Sequence, residues 1–316
     1  MPASINEVRN TVLAIANKNN YGYISPQDFN LYAQQAQLDI FEDYFYSYNN
    51  WVNKQNQRLS GTGYADIIKG LEEVIDSFSV QLVLTQNNAN VYDLPLDYYL
   101  VNKLFYYPDI LFTGTATATS ANQLVDAAAV GWTTIPAGSP TPRIGSIVFN
   151  TTTLNNAFIT GVVNTTTVNL SANIMTIGDT YNIYSHTNIK EVERVSQNKI
   201  FYLTNSQLTA PTQSYPAYVL DGNSVTIYPS TILNAGDIHI QYARYPLAPA
   251  WTWNTLVGGE PIFDATQPGF QEFELPEADE PALIAKICQY VGIEIREPDV
   301  YKFGQQDEVT DNQETN

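Results

Sequence analysis

The chain contains one cysteine, Cys288, which excludes an intramolecular disulfide and a thiolate zinc cluster. Histidine is nearly as scarce. His186 and His239 lie far apart in the sequence, and a serine or cysteine triad needs such a base beside its nucleophile. Basic residues are few: 14 Lys and Arg oppose 32 Asp and Glu, a formal charge of −18 at pH 7. That is the wrong sign for gripping nucleic-acid phosphates or an anionic membrane surface. No apolar run approaches the roughly 20 residues of a membrane helix. "MPASINEVRN" has no basic stretch leading into an apolar one, so no secretory signal is expected. Charged residues are only 15% and hydrophobic ones 44% of the 316, the balance of a folded chain with one large domain or two ordinary ones. The acid excess has two readings. It maintains solubility, or it lines a surface past which a polyanion moves without sticking.

What is present begins with helices. "SINEVRNTVLAIANK" opens on a capping box, Ser4 accepting from the Glu7 amide and Glu7 reaching back to Ser4. Ile5, Val8, Val12 and Ile15 follow on one face. After a turn at 20–23, "SPQD" starts a second, long helix with Ser25 as N-cap, Pro26 in its first position and Asp28 against the dipole. Phe29, Tyr32, Ala33, Ala36, Ile40 and Tyr44 form its apolar stripe. Gly61 and Gly63 break the pattern, and a third helix carries Ile67, Ile68, Leu71, Val74, Ile75 and Phe78.

The period then changes. "SVQLVLTQ", "VYDL" and "YYLVNKLFYYP" read as strands, with "NNAN" a turn. "TGTATATSAN" reads as a flexible low-complexity loop or linker. "RIGSIVFN", "AFITGVV", "TTVNLSAN" and "TYNIYS" form a small all-β module inserted at about 109–188. The main pattern resumes at "IKEVERV" and "KIFYL". "AYVLDGNSVTIYP" is a hairpin around Asp221-Gly222-Asn223, and "DIHIQYARYP" is a half-buried strand. "APAWTWNTLVGGEPIFD" reads as a long irregular loop. A last helix starts near Asp279, carries Ile284, Ile287, Cys288, Val291 and Ile295 on one face, and ends at Glu297-Pro298. The terminal "GQQDEVTDNQETN" reads as acidic and disordered.

No constellation of reactive residues emerges. Gly61, Gly63 and Lys69 lack phosphate-loop spacing and link two helices. "IGSIV" around Ser146 is an incomplete nucleophile elbow. Cys288 reads as a small core hydrophobe. His239, out of phase with Ile238 and Ile240, reads as a surface or interface residue, and no metal site is expected. Asn150, Asn164 and Asn169 head N-x-S/T triplets that read as composition rather than glycosylation sites. Asp93 and Asp97 in "VYDLPLDYYLV" resemble a glycosidase-type pair. The stronger reading is a structural joint. Pro95 ends the strand, and Asp93 and Asp97 cap and position backbone. Trp251 and Trp253 are core or loop anchors by default, and buried against another protein in the sharper alternative.

The order of parts is distinctive: helices, the "YDLPLDY" joint, an aromatic strand, a β insertion, "YVLDGNSVTIYP", "IQYARYP", and an acid–Pro-started C-terminal helix. It resembles the head-to-tail connector (adaptor or ring) proteins of tailed bacteriophages. The N-terminal segment through "QLDIFEDYF" is similar to virion proteins of crAss-like short-tailed phages. This resemblance covers most of the chain outside about 109–188. It implies an α+β adaptor-like fold with N-terminal helices and a C-terminal helix packed on a β-rich core, plus an inserted small barrel- or sandwich-like β domain. The expected divisions are 1–108, the insert 109–188, 189–303, and an acidic tail 304–316.

The resemblance also implies a non-enzymatic virion protein without cofactor. It would form a ring, dodecameric in such adaptors, that joins portal to tail and extends the DNA channel. Its partners would be itself, the portal, and adjacent ring and tail proteins. DNA would pass without specific binding, and no membrane is involved. Assembly would occur in the host bacterial cytoplasm. Candidate interface residues are Trp251, Trp253, Phe303, Gly304, Asp307, Glu308 and Asp311, the tail being the candidate portal contact. The β insert departs from compact adaptors. An alternative is a carbohydrate-binding tail component that uses this insert, and a secreted binding module is disfavoured by the missing signal.

Overall fold

The computed structural model describes residues 2–16, 24–56, 67–129, 132 and 144–294, with 54–56, 67–68 and 293–294 described by backbone alone. The fold is α+β, as expected. Contacts divide it into two compact units: the described parts of 1–78 and 245–294, and Ser79–Arg244. The sequence reading placed helices and main sheet in one adaptor-like domain. The contacts separate them.

The first unit is helical. α1 (Ile5–Ala16) starts where Ser4 Oγ accepts the Glu7 amide at 3.4 Å. No bond from the Ser4 amide to Glu7 completes the box; the next amide, that of Ile5, donates to the Glu272 carboxylate at 2.6 Å. α2 (Pro26–Asn56) is capped by Ser25, whose Oγ accepts the Asp28 amide at 3.1 Å. Its 31 residues make a rod of about 46 Å. Phe29, Ala33, Ala36, Ile40 and Phe41 are buried along it. α3 (Ile67–Ser77) packs on α2, and Phe78 just beyond it meets Phe41 edge-on at 5.1 Å. α5 (Glu280–Glu294) packs on α1 and α2 and buries Leu283, Ala285, Ile287, Cys288 and Val291. Tyr290 of α5 stacks on Tyr32 and donates to Asp39 at 2.6 Å. The expected loop "APAWTWNTLVGGEPIFD" contains a two-stranded hairpin, β16 (Trp253–Thr255) with β17 (Pro261–Phe263). Its strands are three residues each, too short to register as an alternating pattern. The turn at 20–23, Gly61 and Gly63, the helix end at Glu297-Pro298 and the tail lie outside the described residues.

The second unit holds two curled sheets. The larger runs in the order β1 (Ser79–Val83), β15 (Ile238–Arg244), β4 (Tyr98–Tyr106), β12 (Lys190–Arg194), β13 (Ala217–Asp221), β14 (Ser224–Tyr228), β3 (Val91–Asp93), β2 (Thr85–Asn88). Its two ends are one stretch of chain. β1 pairs with β15, β2 pairs with β3, and Leu84 between them donates to Ile238 O at 2.9 Å. The sheet therefore closes into a barrel around Leu84, Tyr92, Leu104, Tyr106, Val192, Val225, Ile227, Ile238, Ile240 and Tyr242. α4 (Gln197–Asn205), which contains "KIFYL", lies against β13 through Ile200 and Leu203.

The seven-stranded sheet draws every strand from 110–184 and closes in the same way. Its order is β5 (Ile110–Thr115), β11 (Thr180–Tyr184), β8 (Ile147–Asn150), β9 (Asn156–Asn164), β10 (Thr167–Leu170), β7 (Gln123–Val125), β6 (Ala118–Ser120). The terminal strands β5 and β6 are consecutive in the chain, and Ala116 between them donates to Asp179 O at 2.8 Å. "TGTATATSAN" is therefore ordered barrel wall and not a flexible linker. Thr suits a pleated strand. Gly114 is required by a close approach: a Cβ there would stand 2.5 Å from Asp126 Oδ2 and 2.6 Å from the Tyr181 hydroxyl. Those two groups are hydrogen-bonded to each other at 2.7 Å. The interior is filled by Leu124, Trp132, Val148, Ile159, Val168, Met175 and Ile183.

Candidate functional site

The carboxylates of "VYDLPLDYYLV" have separate partners. Asp93, at the end of β3, accepts both oxygens' bonds from Asn87 Nδ2, at 2.9 and 3.0 Å. Asp97 accepts from the Tyr242 hydroxyl of β15 at 3.0 Å. Burial, with the Asp97 carboxylate beside it, pushes the Tyr242 hydroxyl up to about 12. The expectation that Asp93 and Asp97 cap backbone amides is corrected. The Tyr98 amide donates to Pro95 O at 3.3 Å, and both aspartates bind side chains. Asp97 sits where the chain has just turned into β4 and opposite β15, so a side chain from a neighbouring strand reaches it first.

His239 is also corrected. It is fully buried rather than at the surface. The phase was read rightly: Ile238 and Ile240 point into the barrel and His239 points out. The outer face there is covered by the second barrel. Val83, Tyr107, Ile147, Phe149 and Tyr184 form one apolar cluster between the two, with Phe105 and Ala235 against it. The His239 ring lies 4.2 Å from Tyr107, Nε2 faces Gly236 O at 3.1 Å, and Nδ1 has no partner. Burial lowers its pKa to about 4, against the pull of the Gly236 carbonyl.

Beside it is Asp237, also buried. Asn234 Nδ2 donates to one carboxylate oxygen at 3.1 Å, and the other oxygen has no partner. Burial raises this carboxyl to about 7, with Asn234 and Tyr184 pulling it back. Tyr92, Tyr106 and Tyr184 surround it, and desolvation raises all three hydroxyls. Tyr184 donates to Ala235 O at 3.0 Å, and Tyr92 to Asn234 O at 3.2 Å. Gly236 has φ +92, and a Cβ there would stand 2.6 Å from Phe149. Nothing in the sequence marked this cluster except the out-of-phase histidine.

Trp251 belongs to the core of its own unit, the default of its two sequence readings. Asn30 clamps its backbone, accepting from the Trp251 amide at 2.8 Å and donating to its carbonyl at 3.1 Å. Its indole donates to Asn6 at 3.1 Å, and the Arg9 guanidinium lies 3.9 Å over the ring. Trp253 and Phe263 stack against it at 6.0 and 5.8 Å. Trp253 is half-buried and remains partly open. Phe303, Gly304, Asp307, Glu308 and Asp311 lie outside the described residues.

Ser146 Oγ and His186 Nδ1 approach to 3.5 Å, a pair that sequence spacing hid, but Ser146 is fully buried and closed to a substrate. Cys288 is buried, and desolvation pushes its thiol up to about 12. A surface recess of about 370 Å³ opens where β12 leaves β4 for β13, with Lys103 and Glu191 paired across its rim at 3.2 Å. Among the described residues, no group of acidic, His or Cys side chains has a metal-holding arrangement, and no helix is long and apolar enough to cross a membrane. No protein-family model matches the chain, and no curated protein matches it.

Proposed function

We propose that the chain is a head-to-tail connector protein of a crAss-like short-tailed bacteriophage. It forms a cyclic homo-oligomer between portal and tail and extends the DNA channel, acting in the virion without chemistry of its own. One observation carries the reading. A chain of formal charge −18 leaves Leu96, Leu208, Tyr215 and Tyr202 more than 70% exposed, a combination suited to assembly. The acid excess supports it, because a wall that repels phosphates lets DNA slide. Sequence resemblance supplies the dodecameric symmetry and the portal contact, which falls to the tail 304–316. The test is electron microscopy of the purified protein mixed with the portal protein of the same virion. A ring on the portal is expected. A protein that leaves the portal bare and instead retains polysaccharide on a glycan array would overturn the reading in favour of a carbohydrate-binding tail component.

A further inference from the structure

The inserted barrel meets the larger one through a thin contact. Among the described residues, Val83, Tyr107, Ile147, Phe149 and Tyr184 form the buried cluster between the two, with Phe105 and Ala235 against it. Three of the five, Ile147, Phe149 and Tyr184, come from the insert. Thirteen buried side chains fill the larger barrel and eleven the inserted one. Hydrophobic stabilisation follows the apolar area buried, so the joint is weaker than either core.

The joint also carries groups that gain from water. His239 Nδ1 and Asp237 Oδ1 are buried there without a protein partner, and each makes a hydrogen bond once water reaches it. Tyr184 donates across the joint to Ala235 O at 3.0 Å, a bond that water replaces at small net cost. Inside each barrel the strands are held by backbone ladders, which a rigid-body movement leaves intact.

The chain passes between the barrels at two places, 107–109 and 185–189. These passages are tied to each other. The Ser185 amide donates to Asp109 O at 2.9 Å, and Asn188 Nδ2 donates to the Asp109 carboxylate at 2.9 Å. Two adjacent passages make one axis, and hinges are built from a few residues at element ends.

We propose that the inserted barrel swings away from the larger one as a rigid body about this axis, at a lower free-energy cost than unfolding either barrel. Ile147, Phe149 and Tyr184 then leave Val83, Tyr107 and His239 together, a sub-global opening. The inference concerns the insert alone and does not depend on the connector reading.

Neighbouring residues that face opposite ways supply the test. Ile147 faces the joint and Val148 the insert's core; Val83 faces the joint and Leu84 the larger core. Each is replaced singly in the full chain: Ile147→Cys, Val148→Cys, Val83→Cys and Leu84→Cys. Labelling with N-ethylmaleimide under native conditions is followed by peptide mass spectrometry, which separates the new thiol from Cys288. The thiols at 147 and 83 are expected to react at similar rates, about tenfold or more faster than those at 148 and 84. Joint thiols that react only as fast as core thiols would mean that the barrels part only on unfolding, and overturn the inference. Rates at 147 and 83 that differ from each other by about tenfold would mean local fraying in place of one common opening, and overturn it too. Should one pair of variants fail to fold, the other pair decides.

Discussion

Replacing Asp237 with asparagine isolates one half of a cancellation. The folded protein favours the neutral acid, with a pKa raised from 3.8 to about 7. The stability this contributes is full below about pH 4 and is lost as the pH rises through about 7, in total about 4 kcal/mol. His239 runs the other way. Its pKa falls from 6.5 to about 4, so its contribution is full above 6.5 and lost as the pH falls through about 4, in total about 3 kcal/mol. Between those limits the folded pair holds a protonated Asp237 and a neutral His239. The unfolded pair holds a carboxylate and an imidazolium. The proton counts are equal, so the two slopes cancel in the wild type. Asparagine mimics the neutral acid and removes one slope. Variant-minus-wild-type stability is expected near zero at pH 4 and to rise by up to about 4 kcal/mol by pH 7. Urea unfolding of both proteins in half-unit pH steps, followed by far-UV circular dichroism, reads this directly. His239→Gln should give the opposite trend. A difference that stays flat from pH 4 to 7 for Asp237→Asn would refute the reasoning, since it would mean that the carboxylate ionises as freely folded as unfolded.

Three further outcomes are expected. Trp251→Ala removes a buried indole, its bond to Asn6 and the Arg9 contact, and should cost about 3–5 kcal/mol by denaturant titration; a loss under 1 kcal/mol would place the ring outside the core. A double-mutant cycle with Asp97→Asn and Tyr242→Phe should return a coupling of about 0.5–1.5 kcal/mol for their hydrogen bond, and a coupling of zero would sever the joint from β15. Gly236→Ala places a methyl against Phe149 at positive φ and should lower stability by about 1–3 kcal/mol or more; a neutral result would contradict the packing between the barrels.

What the sequence revealed was local. The caps at Ser4 and Ser25 and the hairpin around Gly222 each depend on residues within a few positions, and all are present. Four of the insert's seven strands, β8 to β11, were legible as short β-rich runs set between turn residues. What stayed hidden was long-range. Alternation located the face of His239 but could not tell that a second barrel covers it. Asp97 was read with its backbone neighbours, whereas its partner Tyr242 is 145 positions away. The environment of Trp251 is assembled from Asn6, Arg9 and Asn30, more than 200 positions upstream. "TGTATATSAN" was misread because its composition is that of a linker, and only barrel closure supplies the partners that order it.

The mass of the particle tests the central claim most directly. Native mass spectrometry of the purified chain, alone and with portal, should show a closed oligomer at an integer multiple of 35.2 kDa. A species that remains at 35.2 kDa under both conditions would contradict the connector account.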